Sequence, residues 1–219
     1  RKYITFGKKA HCAYRMVNLR NTYEKYTFDV EHNKNYLTTI KMNISGAYNA
    51  YNALACIAVC DSLSNPVETI KHSLESFSGV ERRLEIIKKT ENTTIIKDYA
   101  HHPTEIKNVI HNIKAHNYEK FVVVFQPHTY TRTFGLFNDF LSAFDECDAL
   151  ILVPTYGARE QPIIGGRSED LYEALKTRKQ NVHFAKDFEA TKAKIHDYDS
   201  KNTCILLLGA GDIETLFNK

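Results

Sequence analysis

Some of what this sequence lacks is decisive. No apolar run reaches the roughly 18 residues that a membrane-crossing helix needs, and no secretory-signal pattern is read at its start. It has no excess of one charge: 29 Lys and Arg face 26 Asp and Glu, a net +3. That balance argues against nucleic acid or another polyanion as the main partner. Cysteine is sparse and unpatterned, five residues without a C-x-x-C pair. Such a set argues against a disulfide framework and for reduced thiols in a cytoplasm. Cys56 and Cys60 lie four apart in a helical stretch, and small buried core residues are expected there rather than metal ligands. No G-x-x-x-x-G-K-[ST] loop occurs either. If the chain handles ATP, the main phosphate cradle lies outside it. Arg1 in place of an initial Met is read as the mark of a fragment.

What is present is ordinary for a globular protein: 43% hydrophobic and 25% charged residues. A chain of 219 residues can bury one large core or two small ones. Up to about residue 45 the pattern is of short strands. Tyr3 to Phe6 stops at Gly7, Tyr26 to Val30 alternates, and Tyr36 to Ile44 alternates again. From Ala47 the period becomes helical to about Leu63, through Leu54, Ile57 and Ala58. Asn65-Pro66 breaks it and starts a second helix ending near Phe77.

Ser78-Gly79 marks a joint, and beyond it the pattern is regular. Leu84 to Ile87 and Thr93 to Ile96 predict a hairpin around Glu91-Asn92. Strand-like runs follow at Phe121–Phe125, Ala149–Val153, Val182–Ala185 and Cys204–Leu208, each after a helical pattern, and a last helix follows Asp212. Repeated βα units imply a mainly parallel sheet covered on both faces. The expected architecture is α/β: a Rossmann-like domain over 79–219, preceded by the tail of a different, mixed α/β domain over 1–78.

Loops after parallel strands meet at one sheet edge. Here they are Asp98-Tyr99-Ala100-His101-His102-Pro103, Gln126 to Arg132, Tyr156 to Glu160, and Gly209-Ala210-Gly211-Asp212. The first combines a carboxylate, a phenol and two imidazoles in a strand-to-helix turn, with Pro103 at a first helical position. His128 and Arg132 join it from the second, and a guanidinium there can fork a carboxylate or phosphate. Gly209-Ala210-Gly211 lacks the third glycine of G-x-G-x-x-G, having Glu214 instead, so a plain tight turn is expected. Adjacent histidines rarely converge on one ion, and no metal site is assigned to His101-His102. Arg82-Arg83, at the joint, read equally as ordinary surface charge or as a pair that reaches a phosphate.

Gly46-Ala47-Tyr48-Asn49-Ala50-Tyr51-Asn52-Ala53-Leu54-Ala55, Gly79-Val80-Glu81-Arg82-Arg83 and Gly209-Ala210-Gly211-Asp212-Ile213 resemble the G-x-H-N-x-x-N-A-x-A signature, the domain joint and the closing turn of the Mur ligases. Asp98 to Glu105 and Phe125 to Thr133 are similar to the branch of that family that joins L-alanine to UDP-N-acetylmuramate. The resemblance spans essentially the whole chain and the carboxyl-terminal half of such an enzyme. It implies a cytoplasmic, ATP-dependent ligase of peptidoglycan precursor synthesis acting through an acyl phosphate. Residues 1–78 would complete an ATPase central domain and 79–219 form the C-terminal domain; the fragment alone would be inactive.

By the same resemblance Asn52 meets the adenine edge, Arg83 the ATP phosphates, and Asp98 and Tyr99 the nucleoside. His101, His128 and Arg132 surround the incoming amino acid, with Arg132 on its carboxylate, while Arg83 and His101 are the catalytic candidates. Magnesium ligands are expected upstream, and none is assigned here. Tyr48 stands where the family has histidine, and Thr129 where some members have arginine, so neither inherits a role. The alternatives are a ligase that recycles a tripeptide onto UDP-N-acetylmuramate, and a non-catalytic module that senses a nucleotide or amino acid.

Overall fold

The computed structural model describes residues 3–22, 25–44 and 46–217, so Arg1 lies outside the described residues. The chain forms two compact units, Arg1–Val80 and Glu81–Lys219. In the first, β1 (Phe6–Gly7) pairs parallel with β2 (Tyr14–Thr22), which continues antiparallel into β3 (Lys25–His32) and β4 (Asn35–Lys41). Asn33 and Lys34 close the β3–β4 hairpin with φ of 50° and 70°, the left-handed pair that a two-residue turn between twisted strands requires. Alternate residues Tyr14, Met16, Phe28, Val30 and Ile40 turn to one face and are buried. Against them lies α1 (Ala47–Ser62), whose buried Ala50, Ala53, Leu54, Ile57 and Ala58 follow the i, i+3, i+4, i+7, i+8 stripe of a core-facing helix. α2 (Val67–Ser76) adds Ile70.

Three expectations are corrected in this unit. The first expected strand, Tyr3 to Phe6, is displaced: β1 is Phe6–Gly7, and Tyr3 is 85% exposed because the partner strand begins at Tyr14. β2 itself is absent from the sequence reading: Asn18, at φ 51°, sits where its pairing with β3 slips between Val17 and Arg20, which breaks the alternation. Cys56 and Cys60 are not both core residues. Cys56 is exposed and only Cys60 packs against the core, their sulfurs 4.0 Å apart.

The second unit is a six-stranded sheet in the order β5-β6-β10-β7-β8-β9. Only the hairpin of β5 (Glu85–Lys89) with β6 (Thr93–Asp98) is antiparallel. The rest, β7 (Lys120–Phe125), β8 (Ala149–Leu152), β9 (Val182–Phe184) and β10 (Thr203–Leu208), run parallel to β6. The central strands are unbroken apolar runs because both faces are covered. Phe121, Val123, Phe125, Leu150, Leu152, Leu206 and Leu208 face α3 (Pro103–Lys114), α5 (Phe137–Phe140, after α4, Tyr130–Gly135) and α6 (Ser168–Leu175). Val122, Val124, Ile151, Ile205 and Leu207 face α7 (Phe188–His196) and a closing 3-10 turn, Asp212–Phe217. The expected Rossmann-like sheet is therefore present, with the last helix reduced to a 3-10 turn. Every loop singled out above leaves a carboxyl end of this sheet.

Candidate functional site

The first loop is built around Asp98. Its side chain is buried, and its two oxygens accept from the backbone N–H groups of Ala100 at 2.8 Å and Leu84 at 2.9 Å. Burial pushes its carboxyl pKa up, against the pull of those N–H donors and of Arg83. Asp98 thus ties β6 to the turn before β5, and almost none of its surface reaches solvent. His102 is spent on structure too: its Nδ1 accepts from Thr104 N, and Glu105 Oε2 accepts in return from His102 N, a capping box before Pro103. What remains for chemistry in this turn is Tyr99 and His101.

The two joint arginines divide similarly. Arg82 donates to the carbonyls of Gly209 and Gly211 and pairs with Glu214 at 2.9 Å, while its guanidinium covers the Tyr99 ring at 4.6 Å. That makes it a clamp on the β10 loop. Arg83 is exposed, 5.8 Å from the Tyr99 ring centre.

His128 and Arg132 come from the loop after β7. Arg132 Nη1 donates to the His128 carbonyl and lies 3.1 Å from His128 Nδ1. Burial first, then the charges of Arg132 and His101, lowers the His128 pKa, which disfavours the charged ring. The His101 and His128 ring centres are 5.9 Å apart. His128 also stacks on Tyr156, 5.5 Å away and 9° from parallel. One more carboxylate holds the loops together: Glu160 accepts from Thr129 Oγ1 (2.7 Å), Thr131 Oγ1 (2.6 Å) and Thr131 N (2.9 Å), which draws its pKa down to about 2. Beneath, buried Gln126 donates to Asp212 at 2.7 Å and accepts from Ile213 N at 3.0 Å. A cleft of about 360 Å³ adjoins, lined by Gln126, Thr155, Tyr156, Asp187, Phe188 and Asp212.

The sheet edge therefore gathers Tyr99, His101, His128 and Arg132, with Arg83 near Tyr99. Asn52 belongs to the other unit, exposed on α1, where its amide donates to Asn49 Oδ1 at 3.3 Å. Tyr156, Glu160 and Gln126 carry no role in the sequence reading, although all three lie in loops already placed at this edge. Their parts are to fix a ring plane and two loop positions, and no spacing rule signals that. Among the described residues no three His, Cys, Asp or Glu side chains cluster as metal ligands. Chemically, the arrangement offers a guanidinium for an anion, two imidazoles for proton and hydrogen-bond work, and an aromatic face.

Comparison with known proteins agrees with the motifs. Residues 82–211 match the family model of the Mur ligase glutamate ligase domain, and residues 1–60 that of the Mur ligase middle domain. The UDP-N-acetylmuramate–L-alanine ligase of Desulforapulum autotrophicum is 40% identical over 217 residues, 98% of this chain and 48% of that protein. That of Aquifex aeolicus is 40% identical over 96% of this chain and 45% of its own length. The crystal structure of UDP-N-acetylmuramate-alanine ligase MurC from Thermotoga maritima superposes with a TM-score of 0.80 at 29% identity, over 97% of this chain and 46% of that one. The chain spans about half the length of the curated relatives it matches.

Proposed function

The chain belongs to the Mur ligase family, and from that premise we propose that it is the nucleotide-edge and amino-acid-binding half of an ATP-dependent ligase joining L-alanine to UDP-N-acetylmuramate. The carrying observation is that loops after two different strands meet here: the His101 and His128 ring centres are 5.9 Å apart, and Arg132 in turn contacts His128. In this reading ATP phosphorylates the muramate carboxylate, the alanine amine attacks the acyl phosphate, and the tetrahedral adduct collapses to amide and phosphate. Both contacts of Arg132 with His128 use Nη1, so its other donors serve to fork the alanine carboxylate. Arg83 spreads phosphate charge during transfer. Tyr99 packs on the nucleoside with Asp98 behind it, and Asn52 meets the adenine edge. A pocket distinguishes one methylene by only about 1–3 kcal/mol, so alanine selectivity needs steric exclusion at the methyl.

Residues 1–78 complete the ATP-binding central domain in this scheme, and 79–219 form the C-terminal domain. The phosphate cradle and magnesium ligands fall to the part of such enzymes that this chain does not cover, and no step here runs through magnesium. The enzyme works in the cytoplasm, and no helix among the described residues is long and apolar enough to cross a membrane.

The test uses the intact enzyme. Arg132→Ala removes a charge-assisted contact of about 1.5–3 kcal/mol, so the alanine KM rises roughly 10- to 150-fold while the ATP KM holds. An unchanged alanine KM removes the assignment. If the wild type releases ADP with a peptide and not with alanine, it is the recycling ligase instead.

A further inference from the structure

We propose that the two site histidines are locked in opposite tautomers, His101 as the proton acceptor for the incoming amine and His128 as a hydrogen-bond donor. The inference rests on the ligase reading above and assigns the two imidazoles within it. His101 Nδ1 lies 2.9 Å from the Tyr99 carbonyl oxygen, which can only accept. Nδ1 therefore carries the hydrogen, and the free lone pair is on Nε2. His128 Nδ1 lies 3.1 Å from Arg132 Nη1, which can only donate. Its lone pair is therefore on Nδ1, and its hydrogen on Nε2. The stack on Tyr156 fixes the plane in which that N–H points. Two rings of one chemical type, 5.9 Å apart, thus carry opposite hydrogen-bonding character at Nε2, an acceptor on His101 and a donor on His128.

The surroundings support the division. Glu105 Oε2 is 3.8 Å from His101 Nδ1 and is held there by the backbone N–H groups of His101 and His102. A carboxylate on that side favours the hydrogen on Nδ1, the tautomer that leaves the Nε2 lone pair free. His128 faces the Arg132 cation, which opposes a second charge.

The step balances as follows. The alanine ammonium gives one proton to His101 Nε2, and the freed nitrogen lone pair forms the C–N bond to the acyl phosphate carbon. His128 Nε2–H donates to the oxygen that becomes negative in the tetrahedral adduct. Collapse breaks the C–O bond to phosphate, the departing phosphate takes the second nitrogen proton, and His101 returns its own to solvent. Neither imidazole is consumed.

The experiment uses the intact ligase, labelled with nitrogen-15 at histidine, and two-bond proton–nitrogen spectra. His101 is expected in the Nδ1–H pattern and His128 in the Nε2–H pattern. Kinetics give the second readout, with alanine or hydroxylamine, an amine already neutral at assay pH, as acceptor. His101→Gln cannot take a proton, so alanine-dependent ADP release falls about 100-fold or more while hydroxylamine-dependent release persists. His128→Gln can still donate, and lowers both nucleophiles in common proportion. An Nε2–H pattern for His101, or equal losses with both nucleophiles in His101→Gln, overturns the proposal. The wild-type spectra decide even where a variant does not fold. Absence of alanine-dependent ADP release in the wild type refutes the ligase reading itself, before any variant is made.

Discussion

Gly211→Ala is the substitution whose cost can be worked most directly from the coordinates. The glycine is buried, and its backbone lies outside the left-handed region, so proximity alone demands the missing side chain. A Cβ there would fall 2.4 Å from Gln126 Oε1 and 2.6 Å from both Cβ and Cγ of Tyr156. The Gln126 amide is the end of a flexible side chain and can swing away. Doing so strains its bonds to Asp212 and Ile213, each contributing about 1 kcal/mol. Tyr156 Cβ is one bond from the main chain, so the loop after β8 must move with it. Overpacking of that kind costs about 1–3 kcal/mol. Together the substitution should destabilise the second unit by about 2–4 kcal/mol, which lowers Tm by roughly 5–15 °C for a unit of this size. Thermal unfolding of the intact protein measures it. The alanine KM should rise as well, since His128 stacks on the displaced ring. A Tm within about 2 °C of wild type would mean that the loop yields freely and that Tyr156 fixes nothing.

Two further predictions follow from titration and burial. Because the folded pKa of Glu160 lies near 2, below its ordinary 4.5, its contribution is complete above pH 4.5 and is lost as pH falls through that window. The protection of the Thr131 amide, its exchange rate divided into the intrinsic rate at each pH, should fall there in the wild type and stay low and flat in Glu160→Gln; identical protection profiles would refute the clamp. Among the thiols, exposed Cys56 should alkylate in the native protein, though slowly, since burial and neighbouring Cys60 raise its pKa. Cys147 and Cys204, buried and pushed up to about 12, should label only on unfolding, and mass spectrometry with iodoacetamide reads both classes.

Much of this was legible in the residue order, for physical reasons that can be named. The parallel sheet announced itself because strands covered on both faces must be apolar throughout, as Phe121 to Phe125 and Cys204 to Leu208 are. The α1 stripe was readable because helix geometry repeats locally. β2 was hidden because the slip near Asn18 is an agreement between two strands, and a single strand's sequence does not record it. Cys56 was misjudged because a helix position implies a face only once the neighbouring layer is known. At the sheet edge, residue types marked His101, His128 and Arg132, yet the burial of Asp98 and the duty of Arg82 depend on carbonyls and amides that side-chain patterns do not display.

The position of β10 has a consequence for how the molecule comes into being. β6 and β7 never touch as partners; each is joined to β10 along its whole length. On a ribosome β7, β8 and β9 all emerge before the wedge that unites them with β6. Until it slides in, the turn bearing His101 and the loop bearing His128 hang from separate half-sheets with open, adhesive borders. The pocket is therefore born late, and a chain cut before Thr203 should yield sticky halves rather than a smaller working protein.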